Sequence, residues 1–528
     1  MASLTRRASF FILLLTAVTV LSCKKVNAPR YDSGIELNIN SVNIDGDEGS
    51  SAVVEVTCTF EWTATCSASW ILLDKSSSNS SGKVLVSGSA NHSGATRNGT
   101  VTFTSNGKSV ELSVTQDIFR DRVSISPQRT CLAAMKDRPF TLIVKSNGNW
   151  TATVPSCFTA SATSGTGDGE ITLTLNNTTT KGNQTLTLRC GSATTNYTLS
   201  NVNQFANTYL ITHGGSYCFA PCKCGGALVN GTQVDWIYKT DEDLFSDIVY
   251  DGQYIRFSAE AEHFGYGTIA MTDGNGKVLW SWMIWHTPEL KTVNVGSAKW
   301  ADRNVGAWSG YIPASTQPVV PPSAMGACFQ WGRKDPFPGP DVEAIYKSPA
   351  GYRVGEGAYF ASTVPYILNE RFTPQFVNDE SDPFSVDYGI AHPWCFAHKQ
   401  YPTNDSVEKA LWTSGKGVHD PCPPGWKVPT VSQLTSLKSA IYGSGWTKTE
   451  PYSNSFSKVY TSGSTVFFLP ANGWTLYSRL NNCGRITTFW SCTWVSTDAM
   501  RRWYDNGDDI STGTDRMNRG FGVRCVTE

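Results

Sequence analysis

Residues 62–116 and 150–204 carry one pattern twice, and this repeat constrains the fold more than any other feature of the chain. Trp62-Thr63-Ala64-Thr65 in "EWTATCSASW" returns as Trp150-Thr151-Ala152-Thr153 in "NWTATVPSCF". "GKVLVSG" (82–88) is echoed by "GEITLTL" (169–175), and "RNGTVTFTS" (97–105) by "KGNQTLTLR" (181–189). Each copy closes on a glutamine, Gln116 or Gln204, and both lie 54 residues after their tryptophan. Agreement in wording, order and spacing marks a tandem repeat. Within each copy Thr, Val and Leu recur at period two, Gly, Asn and Ser clusters break the runs, and helical periodicity is absent. The pattern predicts two small β-sandwiches of Ig-like design, over residues 34–117 and 118–205. Trp62 and Trp150 read as core fillers.

The W-T-A-T strand, the Arg97-Asn98-Gly99-Thr100-Val101 hairpin and the closing Gln116 resemble the BACON domain, a Bacteroidetes-associated carbohydrate-binding module. The second copy keeps Trp150 and Gln204 but has Lys181 in place of Arg97, so its match is looser. The family name implies sugar binding. No stacking platform is evident in either copy, and a spacer role is the expectation.

The start of the chain reads as an export signal. "MASLTRRASFFILLLTAVTVLSCKK" places Arg6 and Arg7 before a 12-residue apolar run, Phe10 to Leu21. That length suits a signal peptide and falls short of the ~20 residues of a spanning helix. Val20-Leu21-Ser22-Cys23 resembles a bacterial lipobox, which implies a leader over 1–22, lipidation at Cys23 and a linker over 23–33. Several acyl chains would anchor the protein stably, at about 0.8 kcal/mol per buried methylene. The expected location is the cell envelope, lipid-anchored at the outer membrane, with surface and periplasmic faces both open. Removing Cys23 from the 15 cysteines leaves an even number, which in an exported chain reads as structural disulfides.

Composition narrows the partners. Charged residues make up 16% of the chain against about 25% in an average soluble domain, and aromatic residues reach 12%. With a net charge of −1 and no basic face, a nucleic-acid partner is excluded from the reading. A glycan or a cell-surface protein fits better.

From residue 206 tryptophans and cysteines crowd the chain. Residues 206–297 form a β-rich segment. In it Cys218, Cys222 and Cys224 lack the paired loops of a structural zinc site, and Trp280, Trp282 and Trp285 sit on one predicted strand. Next come, in order, "WADRNVGAW", "CFQWGRKDPFPG", "DPCPPGWKVPT", "FFLPANGW", "FWSCTW" and "GFGVRCV". These phrases resemble the Fibrobacter succinogenes major paralogous domain, over 298–528, in the form found in lipoproteins and fimbrillin-like surface proteins. The resemblance implies an α+β, C-type-lectin-like domain with a long loop region. The fold expected overall is therefore a mainly β N-terminal half followed by that domain.

In "HDPCPPGWKVPT" three prolines hold the backbone extended. Thr430 and Gln433 then form a capping-box pattern ahead of Leu434, Leu437 and Ile441 on one helical face, with Gly443 as the stop. Cys422 is placed to be bridged, with Cys525 as candidate partner. Cys483 and Cys492 suggest a second, local bridge. The stretch serves shape.

No nucleophile elbow, phosphate loop or dinucleotide fingerprint is present, and the chain reads as non-enzymatic. His392, Cys395 and His398 read as loop residues around a bridged cysteine. In "RWYDNGDDISTGTD", Asp505, Asp508 and Asp509 offer oxygen ligands to calcium, the one cofactor considered. Trp490, Trp494 and Trp503 are candidates for stacking on a ligand. The leading expectation is an envelope lipoprotein that presents a lectin-like head on a β-sandwich stalk for glycan binding or adhesion. The alternative is a structural or tip component of a fimbria-like assembly that binds protein subunits.

Overall fold

The computed structural model describes residues 34–127, 129–275, 278–311, 320–336, 411–452, 455–476, 479–496, 499–505, 510–516 and 519–528. The leader, Cys23, His392, Cys395, His398, Asp508 and Asp509 lie outside them. The described residues are mostly strand, with helices only at Pro322–Met325 and Val431–Tyr442. Neither is long and apolar enough to cross a membrane. The chain divides into two compact units, one ending at Arg120 and one beginning at Asp121.

The first unit is a β-sandwich. One sheet runs Glu36–Leu37, Ser51–Thr57, Gly82–Gly88, Ile71–Leu73, and the other Ser41–Ile44, Lys108–Gln116, Arg97–Ser105, Trp62–Cys66, Ser77–Ser78. Alternate residues such as Val54, Val84, Val101, Phe103 and Leu112 fill the space between them, as period two requires. Trp62 is buried among them, and its indole donates to Ser80 O at 3.0 Å. The closing glutamine explains itself here. Gln116 is fully buried, accepts from Arg97 Nε at 2.8 Å, and donates to Asp45 O and Ser89 O.

The second unit opens with the second copy. Val123–Pro127, Pro139–Ser146, Gly169–Leu175 and Phe158–Ala160 repeat the first sheet's order, and Ala193–Val202, Gly182–Cys190, Asn149–Thr153 and Ser164–Thr166 repeat the second's. Trp150 is again buried and donates to Gly167 O at 3.0 Å. A Cβ on Gly165, in the adjacent strand, would meet its ring at 2.4 Å, so only glycine fits there. The copies diverge at one strand. In the first, Ser41–Ile44 pairs in parallel with the closing strand, Lys108–Gln116. In the second, the corresponding Thr130–Cys131 pairs in parallel with Gly215–Phe219, beyond the repeat.

That strand opens a third sandwich. Thr130–Cys131, Gly215–Phe219, Ile255–Ala259 and Phe245–Tyr250 form one sheet, and Thr208–Ile211, Val278–His286, Gly265–Thr272 and Gln233–Lys239 the other. The tryptophan-rich strand Val278–His286 is covered on both faces. Trp280, Trp282 and Ile284 enter the core of this sandwich, while Met283 and Trp285 enter the core of the following region. Burial on both faces is why the strand shows a continuous apolar run rather than alternation.

In the last region, helix Val431–Tyr442 carries the capping box expected: Thr430 Oγ1 accepts from Gln433 N and the Gln433 side chain accepts from Thr430 N. Leu434, Leu437 and Ile441 are buried against Val293, Trp300, Phe467 and Trp503. Gly443 ends the helix in extended backbone at φ −72, not in the left-handed conformation of a glycine stop. Strand Val526–Thr527 lies between Ala298–Ala301 and Trp426–Lys427. Beside it Cys422 and Cys525 are joined by a disulfide, with 6.0 Å between their Cα atoms. Among the described residues of this part, the α+β character expected rests on that 12-residue helix and the short turn of helix Pro322–Met325 among small sheets.

Candidate functional site

The hairpin of Thr487–Ser496 and Ala499–Asp505 holds most of the residues singled out above. Its register sets Phe489 opposite Trp503 and Thr487 opposite Asp505, which turns Trp503 and Asp505 inward. Trp503 is fully buried and stacks on Phe489 with ring centroids 5.4 Å apart. Trp490 is also fully buried; its indole donates to Phe329 O at 2.8 Å and its ring lies on Phe521. Neither ring is open to a ligand, which corrects the stacking role expected of both. Trp494 is half-buried against the same core.

Asp505 is corrected as well. Its carboxylate is ion-paired with Lys458, and both side chains are 1% exposed. A carboxylate already neutralised inside the core is not an open calcium ligand. The bridge expected between Cys483 and Cys492 is absent, since Cys492 is an unbridged thiol. Cys492 is buried beside Pro429, whose carbonyl accepts from its backbone N–H, and burial pushes its thiol up to about 12. Cys483 lies in a separate core cluster, its Sγ 3.2 Å from Met325 Sδ.

Two polar arrangements escaped the sequence. One is buried. Lys334 Nζ lies 2.8 Å from Asp335 Oδ2 and 3.0 Å from Ser281 O, and Ser281 Oγ donates to Asp335 Oδ1 at 2.6 Å. His419 sits close by, its ring 5.4 Å from Trp280, and burial lowers its imidazole to about 4. All four side chains are closed to solvent. The cluster ties the central strand Val278–His286 to the last region. Among the described residues no group of three or more His, Cys, Asp and Glu is placed to hold a metal.

The other arrangement is partly buried, on the opposite face of Ala499–Asp505. Arg502 Nε lies 3.0 Å from Asp515 Oδ2, and Arg519 Nη1 lies 2.8 Å from Asp515 Oδ1. The Arg502 guanidinium stacks 4.3 Å from the Tyr504 ring, and that of Arg519 4.5 Å from Trp474. Trp474, Arg519, Asp515, Arg502 and Tyr504 thus form one continuous row, each half-buried. The shared carboxylate fixes both guanidiniums, which keeps their planes against the rings. Arg502 Nη1 and Arg519 Nε have no hydrogen-bond partner among the described residues. Both of those nitrogens are closed to solvent, so what the row offers a ligand is its ring edges and the outer part of the Arg519 guanidinium, whose side chain is 32% exposed. The alternation of Arg502 and Tyr504 with Trp503 and Asp505 was its only sequence signal.

Residues 60–117 match the BACON family model, "Putative binding domain, N-terminal". No curated protein matches the chain. Among solved structures, a Bacteroides ovatus GH5 xyloglucanase is similar at 21% identity over 16% of this chain and 19% of that one, with a TM-score of 0.16. Domains 5-6 of the S-layer protein SbsC are similar at 18% identity over 32% of this chain and 96% of theirs, with a TM-score of 0.14. Invasin, a bacterial integrin-binding protein, is similar at 14% identity over 51% of this chain and 63% of its own, with a TM-score of 0.21. The chain thus spans less than a fifth of the xyloglucanase and under two thirds of invasin. At these TM-scores none of the three bears on what this chain binds.

Proposed function

We propose that this is a non-enzymatic binding protein of the bacterial cell envelope, lipid-anchored at Cys23, with a lectin-like C-terminal head on a β-sandwich stalk. The single observation that carries the binding role is the row Trp474–Arg519–Asp515–Arg502–Tyr504, in which a shared carboxylate holds the partly exposed Arg519 guanidinium against the Trp474 ring. The phrases from "WADRNVGAW" to "GFGVRCV" support a head of the Fibrobacter paralogous type, and the buried Trp62 and Trp150 support a stalk role for the repeats. The test is a glycan array probed with the chain from residue 24 onward, with calcium and again with chelator. Binding that survives chelator and is lost on Arg519→Ala or Trp474→Ala supports the reading. Silence from the folded protein overturns it.

A second reading, as a subunit-binding component of a surface assembly, rests on the outer face of the first sandwich. There Val53 and Leu85 are cross-strand partners, 50% and 39% exposed, and Leu72 of the next strand is 48% exposed. Exposed aliphatic residues gathered on one sheet face suit a protein partner better than a sugar.

A further inference from the structure

The strand Thr130–Cys131 serves two neighbours. Cys131 and Ala134 point into the core of the second sandwich, while Leu132 and Ala133 point into the core of the third. The segment is bonded on both sides. Leu132 N donates to Cys218 O at 2.8 Å, and Asn201 Nδ2 and Asn203 N donate to Leu132 O and Ala134 O. In the first copy the corresponding strand stays with its own sandwich, and Val42 stands next to Asn43 where cysteine is found in the second. The change of partner brings Cys131 directly opposite Cys218.

We propose that Cys131 and Cys218 are a disulfide-forming pair that locks the second sandwich to the third when the chain folds in an oxidising compartment. Three observations support it. The two residues are register partners on adjacent parallel strands, and strand neighbours lie about 4.8 Å apart, inside the roughly 4.4–6.8 Å that a disulfide spans. The Cys218 side chain is the leading influence on the Cys131 thiol, which it helps hold well above the ordinary range. Both are buried, at 5% and 4% exposure, in one apolar core. Cys222, also near, has its sulfur 3.5 Å from Met135 Sδ instead.

The oxidant is a disulfide, carried by a thiol–disulfide oxidoreductase or by oxidised glutathione. One thiolate attacks it to form a mixed disulfide, and the second thiolate displaces the carrier sulfur. An S–S bond forms between Cys131 and Cys218, the carrier's S–S bond breaks, and the two electrons and two thiol protons pass to the carrier, which leaves as two thiols. The neighbouring Cys218 side chain and burial raise the Cys131 thiol well above its ordinary range, so Cys131 of the folded chain is a poor nucleophile. The bond therefore forms during folding and is afterwards shielded from reductants.

The test is a non-reducing peptide map of the full chain, folded once with oxidised glutathione and once with dithiothreitol, with free thiols alkylated after denaturation. Expected is a Cys131–Cys218 linked peptide in the first sample only. The oxidised protein should also melt about 5–10 °C higher than a Cys131→Ser, Cys218→Ser variant folded in the same way. Alkylation of both cysteines in the glutathione sample overturns the proposal, as does linkage of either one to Cys222 or Cys224. The map uses the unaltered chain, so it stands even if the variant folds poorly.

Discussion

Lys458 and Asp505 are ion-paired across two strands of the last region, with both side chains 1% exposed. Asp505→Ala would leave an ammonium buried without its counter-charge, at a cost of about 3–5 kcal/mol. Adding Lys458→Met should restore most of that loss, because the uncompensated charge is what costs. Urea unfolding of the two variants measures both. A loss below about 1 kcal/mol for the single variant would mean the pair is open to water.

The two closing glutamines should differ. Gln116→Ala removes the acceptor of Arg97 Nε and the donor to Asp45 O and Ser89 O, a network buried in the first sandwich. A loss of about 1–3 kcal/mol follows from leaving such groups unpaired. Gln204 is half-buried and Asn203 bonds Asn177 O and Thr180 O beside it, so Gln204→Ala should cost under about 1 kcal/mol. Denaturant midpoints of the two variants give the comparison.

Acid should weaken the second unit. Burial holds the imidazoles of His286 and His419 down to about 4, against an ordinary value near 6.5. Between those limits the unfolded chain takes up protons that the folded chain refuses. Stability is therefore fully present above about pH 6.5 and falls as pH drops towards 4, by about 1.4 kcal/mol per unit for each histidine. Denaturation of the wild type and of His286→Gln at pH 7 and pH 5 reads the effect; an unchanged pH slope in the variant would remove His286 from the account.

Loss of the Cys422–Cys525 disulfide, which closes a separation of 103 residues, should cost about 2–4 kcal/mol. Cys422→Ala, Cys525→Ala against the oxidised wild type gives the value. Because the bond lies beside strand Val526–Thr527, hydrogen exchange should quicken first there and in Ala298–Ala301.

In this row, Arg519→Ala should weaken ligand binding roughly tenfold while leaving the melting temperature nearly unchanged, since the Arg519 side chain is 32% exposed, whereas Arg502→Ala, which removes a largely buried partner of Asp515, should also lower stability. Titration calorimetry with a ligand taken from the array separates affinity from folding. A large drop in melting temperature for Arg519→Ala would make the row a structural brace instead.

Much of the fold could be read from local pattern. Period-two alternation and the Trp-to-Gln spacing foretold two repeated sandwiches, because strand pleating and turn chemistry act over a few residues. Thr430 and Gln433 announced the helix start for the same reason. The site was far less legible. Trp490, Trp503 and Asp505 have the right chemistry for a ligand, but register against the facing strand turns them into the core.

Alternation, breakers and spacing are local properties, so the chain's own order settled the two repeated sandwiches and where the helix Val431–Tyr442 begins. Which sandwich receives Thr130–Cys131, which face of Val278–His286 meets which core, and which charges find partners depend on contacts between residues far apart in the chain. Arg502 and Arg519 flank one carboxylate only once strand Ala499–Asp505 and the bend before Gly520–Phe521 are in place. Those choices belong to packing, where burial and pairing between distant segments outweigh local preference.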